Sequence, residues 1–231
     1  MGKTIGIIGC KGFVGSSICR RIKKKISISR NNYLKFKDKK FDIIINCSMP
    51  SKRFWAKQNP KLDFEETVLK TKFFLENYNY KKFVHISSIS ARCETNTVYG
   101  KNKKKSETLV KRKKNYLIVR LGPMYGKKLT KGVLIDMLNN KTVYLNKNSC
   151  YSFTSVDWVS DWIVKNLSIT NKTIEIGSKD YIKLKNLAKF INSKSKFIGR
   201  IDNQIIKSKK LYNSESSGVY NYIKKIKKIN I

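Results

Sequence analysis

Apolar positions along this chain fall into short, nearly continuous runs separated by stretches in which apolar residues recur every three or four positions. Thr4-Ile5-Gly6-Ile7-Ile8 predicts a buried strand over 3–8, and the spacing after it predicts a helix over 13–25. Tyr33-Leu34-Lys35-Phe36 reads as a short second strand and Phe41-Asp42-Ile43-Ile44-Ile45-Asn46-Cys47 as a further buried one. A helix over about 61–79 precedes the strand Phe83-Val84-His85-Ile86-Ser87-Ser88, and a very basic helix over 99–113 precedes the strand Tyr116-Leu117-Ile118-Val119-Arg120. A short helix over 131–140 follows. Apolar strands alternating with helices imply right-handed crossovers and a parallel sheet covered on both faces. The expected fold class is α/β, a doubly wound parallel sheet.

Beyond residue 125 the pattern loosens. Ser152 to Asp157 reads as a strand leading into a helix over 157–167, Thr173-Ile174-Glu175-Ile176-Gly177 as a short strand, and Tyr181 to Ile191 as a helix with Leu184, Leu187, Ala188 and Ile191 on one face. The Lys/Ser-rich stretch 192–217 is expected to be loosely structured, and Tyr220 to Ile229 to close the chain as a basic amphipathic helix. Two parts follow: a core over 1–125 and a small lobe over 126–231, partly interleaved with it.

A chain of 231 residues with 40% hydrophobic content can bury one good core with a small appended lobe. Five cysteines without a Cys-x-x-Cys pair, several inside apolar runs, favour reduced thiols in a cytoplasmic compartment, and no metal site is called for. No run reaches the roughly 18 apolar residues of a membrane span, and the amino terminus reads as a strand rather than a leader peptide.

The formal charge is +36, from 51 basic and 15 acidic residues, and only eight of the basic residues are Arg. Readers of bases and phosphates usually exploit the planar fork of Arg. Here Lys is spread through the whole chain together with Asn and Ile, which fits drift at solvated positions as well as affinity for polyanions. On either view the field attracts phosphorylated ligands and binds RNA nonspecifically at low salt.

Two motifs carry chemistry. Gly9-Cys10-Lys11-Gly12-Phe13-Val14-Gly15 joins the first strand to the first helix. Gly9 suits the tight turn, Gly12 a close approach of backbone to a diphosphate, and Gly15 close packing of helix on strand, with the helix amides and dipole facing the phosphates. Tyr99-Gly100-Lys101-Asn102-Lys103 puts a phenol and an ammonium one helical turn apart. A free phenol titrates near pH 10, so it needs a nearby cation to act as a base, and Lys103 supplies one. Ser88, at the carboxyl end of its strand, would hydrogen-bond the reacting oxygen, and open α/β sheets hold their ligands at that edge.

Gly9-x-x-Gly12-x-x-Gly15, His85-Ile86-Ser87-Ser88, Tyr99-x-x-x-Lys103 and Arg120-Leu121-Gly122-Pro123-Met124-Tyr125-Gly126 together resemble the extended short-chain dehydrogenases, the NAD-dependent epimerase/dehydratase group that modifies nucleotide sugars. The likeness continues through Val156-Asp157-Trp158-Val159 and Ile174-Glu175-Ile176-Gly177. It implies a Rossmann core that binds NAD or NADP and a small carboxy-terminal lobe over the sugar nucleotide. It further implies Ser88, Tyr99 and Lys103 as catalytic residues and cofactor contacts from Gly9, Gly12, Phe13, Val14, Gly15, Asp38, Cys47, Ser48 and Lys103. The activity implied is an oxidoreductase or epimerase working by hydride transfer in surface-polysaccharide or glycan synthesis. Homodimerisation through the helices at 61–79 and 99–113 is common in the family, although the second helix is basic enough to oppose it.

The chain departs from the family pattern in places. One helix and one strand are missing before Phe41. Asp38 is the candidate acidic residue for NAD at the end of the second strand, whereas Arg30, Lys35, Lys37 and Lys39 suit the NADP phosphate. Ile89 and Ser90 stand where sugar-nucleotide dehydratases carry an acidic pair. His85, the only histidine, reads as a core residue, and Asp157 as a helix cap. A competing reading is a degenerate Rossmann protein that binds dinucleotide or RNA without catalysis. A sensor of cofactor redox state is a third.

Overall fold

The computed structural model describes residues 3–207 and 214–229. It begins with β1 (Ile5–Ile8), α1 (Phe13–Arg21), β2 (Ile26–Ile28) and β3 (Lys40–Asn46). Next come α2 (Arg53–Gln58), α3 (Pro60–Phe64), α4 (Lys70–Asn77), β4 (Asn79–Ser88), α5 (Ser90–Cys93), α6 (Val98–Lys111) and β5 (Tyr116–Leu121). The remaining elements are β6 (Met124–Tyr125), α7 (Val133–Leu138), β7 (Cys150–Tyr151), β8 (Thr154–Ser155), α8 (Val156–Lys165), β9 (Lys172–Ile176), β10 (Ile182–Lys183), α9 (Leu184–Ile191) and α10 (Gly218–Ile229). No helix among the described residues is long and apolar enough to cross a membrane. The residues form two compact units, Met1–Leu121 with Ser160–Ile174, and Gly122–Val159 with Glu175–Ile231.

Six strands make one sheet in the order β2-β1-β3-β4-β5-β9, and the pairs β1–β2, β1–β3, β3–β4 and β4–β5 are all parallel. This is the doubly wound α/β fold. Burial on both faces explains the unbroken apolar runs: Ile7, Ile44, Ile45, Phe83, Val84, Leu117, Ile118 and Val119 are wholly inaccessible. The chain winds one way from β1 to β2 and the other way from β3 onward. The carboxyl ends of β1 and β3 therefore flank the switch point where such sheets open a crevice for ligands.

The second strand is not where the sequence suggested. Tyr33–Phe36 forms a 3-10 turn, and the strand beside β1 is Ile26–Ile28. Apolar spacing alone could not separate the two. The Asn32 side chain accepts from the Ser29 amide at 2.7 Å, and the Tyr33 amide bonds Ser29 O at 3.1 Å, which turns the chain immediately after β2. Tyr33 then packs edge-on against Phe73 and Phe74, with ring centroids 5.6 and 6.0 Å away. The helix expected over 61–79 is interrupted by a π turn at Glu65–Leu69 between α3 and α4, where Thr71 Oγ1 bonds back to Thr67 O at 2.7 Å. The helix expected over 13–25 ends at Arg21, since Ile22 is already extended.

The second unit has its own core, with Leu134, Met137, Tyr151, Phe153, Leu187 and Val219 at its centre. Its strands pair as β6 with β8, parallel, and β7 with β10, antiparallel. The stretch 192–207 carries isolated bridges from Phe197 to Val143 and from Gln204 to Tyr151, while 208–213 lie outside the described residues.

Candidate active site

The glycine turn is shaped by two close approaches. Gly9 has φ +80°, and a Cβ there would lie 2.8 Å from the backbone of Cys47 and Ser48, just past β3. A Cβ on Gly15 would sit 2.2 Å from Gly9 O, so α1 packs directly on the turn. Gly12 precedes α1 with no side-chain cap, and no acidic residue occupies its first turn. Phe13 and Val14 open that helix. Its amino end keeps unsatisfied amides and a positive dipole end beside the switch point, which fits a diphosphate.

Residues after β3 form a wall common to both motifs. Cys47 N bonds Ile8 O at 2.9 Å, and Ser48 donates to Asn46 Oδ1 through its amide and hydroxyl at 3.1 and 2.7 Å. Two residues on, Pro50 O accepts from Lys103 Nζ at 2.8 Å. The sequence separated these motifs by some ninety residues; the loop after β3 touches both. Desolvation pushes the Cys47 thiol above its ordinary range, which favours the protonated form.

Tyr99 is placed by the start of α6. Thr97 caps the helix, accepting from Gly100 N at 3.0 Å. A Cβ on Gly100 would meet Glu94 O at 2.1 Å, so the Tyr-Gly pair lets the helix press on the α5 segment. The Tyr99 side chain is 6% exposed and lies near the hydroxyl of Ser88, whose Oγ accepts from the Ser90 amide at 3.2 Å. Lys103 is 1% exposed, with Nζ 4.9 Å from the Tyr99 ring centroid. Burial pushes the phenol up to about 12; the Arg53 charge and the nearby Ser88 hydroxyl pull it down, while Glu94 and Asp63 add to the rise.

Sequence reasoning missed this surrounding set of charged groups. Arg53, on α2, pairs with Glu94, and Asn102 donates to the buried Asp63 carboxylate at 2.8 Å. A signal was present in the composition: Arg21, Arg30, Arg53 and Arg120, half of the eight arginines in a Lys-dominated chain, each contact a carboxylate.

Asp38 falls away from the site. It is exposed and lies two residues before β3 begins, which is the amino edge of the parallel sheet, opposite the glycine turn. β2 ends at Ile28, so Ser29 and Arg30 occupy the place assigned to Asp38. Of the basic residues considered for a phosphate, only Arg30 lies within two residues of the end of β2; it is largely exposed, with an ion pair to Glu66 at 3.5 Å. His85 is wholly buried at the sheet centre and bonds Asn46 and Ser106.

No protein-family model matches the chain, and no curated protein matches it. Solved structures do. Thermotoga maritima UDP-glucose 4-epimerase with UDP-glucose is similar at 15% identity and TM-score 0.80, covering 99% of this chain and 100% of that one. Bacillus cereus UDP-glucuronic acid 4-epimerase with UDP-glucuronic acid and NAD gives 16%, 0.77, and coverage of 96% and 99%. Bacillus anthracis dTDP-4-dehydrorhamnose reductase with NADP gives 17%, 0.72, and coverage of 97% and 99%. The shared feature is the fold, over essentially the full length of each chain.

Proposed function

We propose that this protein is an NAD(P)-dependent enzyme that reduces or epimerises a nucleotide-linked sugar. The observation that carries the reading is the grouping of Ser88 with the buried Tyr99 and Lys103, joined through the loop after β3 to an uncapped glycine turn. The glycine turn and the first amides of α1 would hold the diphosphate, with Cys47 and Ser48 as the adjoining wall. When bound, the nicotinamide supplies or accepts the hydride.

The chain's own residues would handle the proton. Tyr99, kept protonated by burial, donates it to the sugar oxygen as a carbonyl is reduced, and takes it back in the reverse direction. Ser88 hydrogen-bonds the same oxygen and orients it. Lys103 steadies the charge left on the phenolate and is placed to reach the ribose hydroxyls once it exchanges its bond to Pro50 O. The low accessibility of Tyr99 excludes bulk water from the proton donor.

Cofactor choice follows from the end of β2. With Ser29 and Arg30 there in place of an acidic residue, the site favours NADP over NAD once Arg30 exchanges its contact with Glu66 for the phosphate. The test mixes NADPH with UDP- and dTDP-linked 4-keto sugars and compares wild type with Tyr99→Phe. Loss of at least about a hundredfold in turnover, within the usual range for a general acid, with NADPH affinity unchanged, is expected; equal turnover removes Tyr99 from the chemistry.

A further inference from the structure

In a parallel sheet every strand begins at one edge and ends at the other, so the connections that enter β3, β4 and β5 meet far from the glycine turn. There they enclose an open groove of ≈ 540 Å³, lined by Lys37, Lys81, Lys113 and Lys114 with Tyr78 and Tyr80 beneath. All of these residues belong to the first unit. The single carboxylate in the lining, Glu76, faces Lys72 at 4.0 Å, and Asp42 beside the groove holds Lys81 at 2.8 Å. The four groove lysines are exposed, and Lys37 is held over the Phe73 ring, 5.3 Å from its centroid.

We propose that this groove binds the phosphodiester backbone of single-stranded nucleic acid. Cations at helix C-termini complement the helix dipole, which accounts for Lys113 and Lys114 after α6. It does not account for Lys37, which precedes a strand, or Lys81, which lies inside one. The space admits a short run of nucleotides rather than a duplex. Its cations are lysines and no aromatic ring in it is fully exposed, so contacts fall on phosphates and binding is independent of base sequence. β4 runs from the groove at Asn79 to the candidate active site at Ser88, nine steps or roughly 30 Å. That is several Debye lengths at physiological salt, so nucleic acid and dinucleotide bind together without competing.

The test titrates a fluorescent oligouridylate of about a dozen nucleotides into the full chain at about 0.15 M ionic strength, reading anisotropy. Wild type is compared with a groove variant, Lys37→Gln, Lys81→Gln, Lys113→Gln and Lys114→Gln combined. The control variant, Lys183→Gln, Lys185→Gln, Lys189→Gln and Lys194→Gln, changes the net charge equally on exposed positions of the second unit. Thermal unfolding checks that both variants fold. Expected are a loss of at least tenfold in affinity for the groove variant, a control within about threefold, and a log–log salt slope flatter by about 3, since each single-strand phosphate contact contributes about 0.7. Equal losses in both variants mean diffuse attraction and overturn the proposal. So does the lack of saturable binding by wild type, or equal competition by heparin and inorganic polyphosphate. The result is independent of the enzymatic reading, because saturating NADPH is expected to leave it unchanged.

Discussion

Glu107 and Arg120 form a two-point ion pair, Nε to Oε1 at 2.8 Å and Nη2 to Oε2 at 2.6 Å, with side-chain exposures of 1% and 11%. Ser87 Oγ donates to the same carboxylate at 2.8 Å. Glu107 lies four residues after Lys103 and eight after Tyr99, so it anchors to β4 and β5 the helix face that carries the phenol and the ammonium. Arg120→Ala leaves a buried carboxylate uncompensated and is expected to cost about 3–5 kcal/mol. Replacing both partners by apolar residues, Glu107→Leu with Arg120→Met, is expected to recover much of that loss. Chemical denaturation of the three proteins measures both.

The only histidine gives the molecule a specific acid response. Asn46 Oδ1 accepts from Ser48, so the Asn46 amide nitrogen faces His85 Nδ1 at 3.5 Å. Ser106 donates to Lys103 O and therefore accepts from His85 Nε2 at 3.1 Å, which assigns the Nε2–H tautomer. Burial, and secondarily the Lys103 charge, lowers His85 to about 3. The unfolded chain takes up this proton below about 6.5 and the folded one resists it. Stability is thus full above pH 6.5 and falls toward pH 3, by an amount on the order of 4 kcal/mol. His85→Asn is expected to flatten the stability profile over that window, measured by unfolding at stepped pH.

Tyr99 responds in the opposite pH range. Its folded value is raised to about 12 by burial. Above pH 10 an unfolded tyrosine ionises while this one keeps its proton, so its share of stability is present below 10 and is lost as pH rises through 12. The size is on the order of 2 kcal/mol, and Tyr78 and Tyr80, also raised to about 12, add to the same alkaline slope. Ultraviolet titration of wild type against Tyr99→Phe is expected to show one tyrosinate fewer in the highest-pH phase and a shallower alkaline loss of stability.

Arg30 is expected to set cofactor choice in the proposed enzyme. Calorimetric titration is expected to find NADP bound at least about tenfold more tightly than NAD, the equivalent of about 1.4 kcal/mol for one charge-assisted contact. Arg30→Ala is expected to abolish the difference by weakening NADP alone. Stronger NAD binding by the wild type would contradict the assignment.

The alternation of buried runs and helices was readable because strands covered on both faces must be apolar along their whole length, and Ile43-Ile44-Ile45 and Phe83-Val84 admit little else. Gly9 and Gly15 were readable for the same kind of reason: their spacing reports a turn that leaves no room for a side chain. Tyr33-Leu34-Lys35-Phe36 misled because its aromatics cover α4 rather than pair with β1, a choice fixed by tertiary contacts and the Asn32 turn. Asp38 was misplaced with it, since its role depended on which edge of the sheet it reached. Arg53 and Glu94 were invisible as a pair because forty-one positions separate them. The contact of Lys103 with Pro50 was hidden by a similar separation.

Among the described residues no strand lies beyond β2, which forms one rim of the six-stranded sheet. A rim offers unpaired amides and carbonyls to any extended segment that passes, including the same segment of another copy. This one is only three residues long, and the exposed Lys23, Lys24 and Lys25 immediately precede it. Brevity and like-charge repulsion both oppose strand-to-strand pairing at that border, so these three lysines act as a built-in deterrent to self-assembly through the open rim.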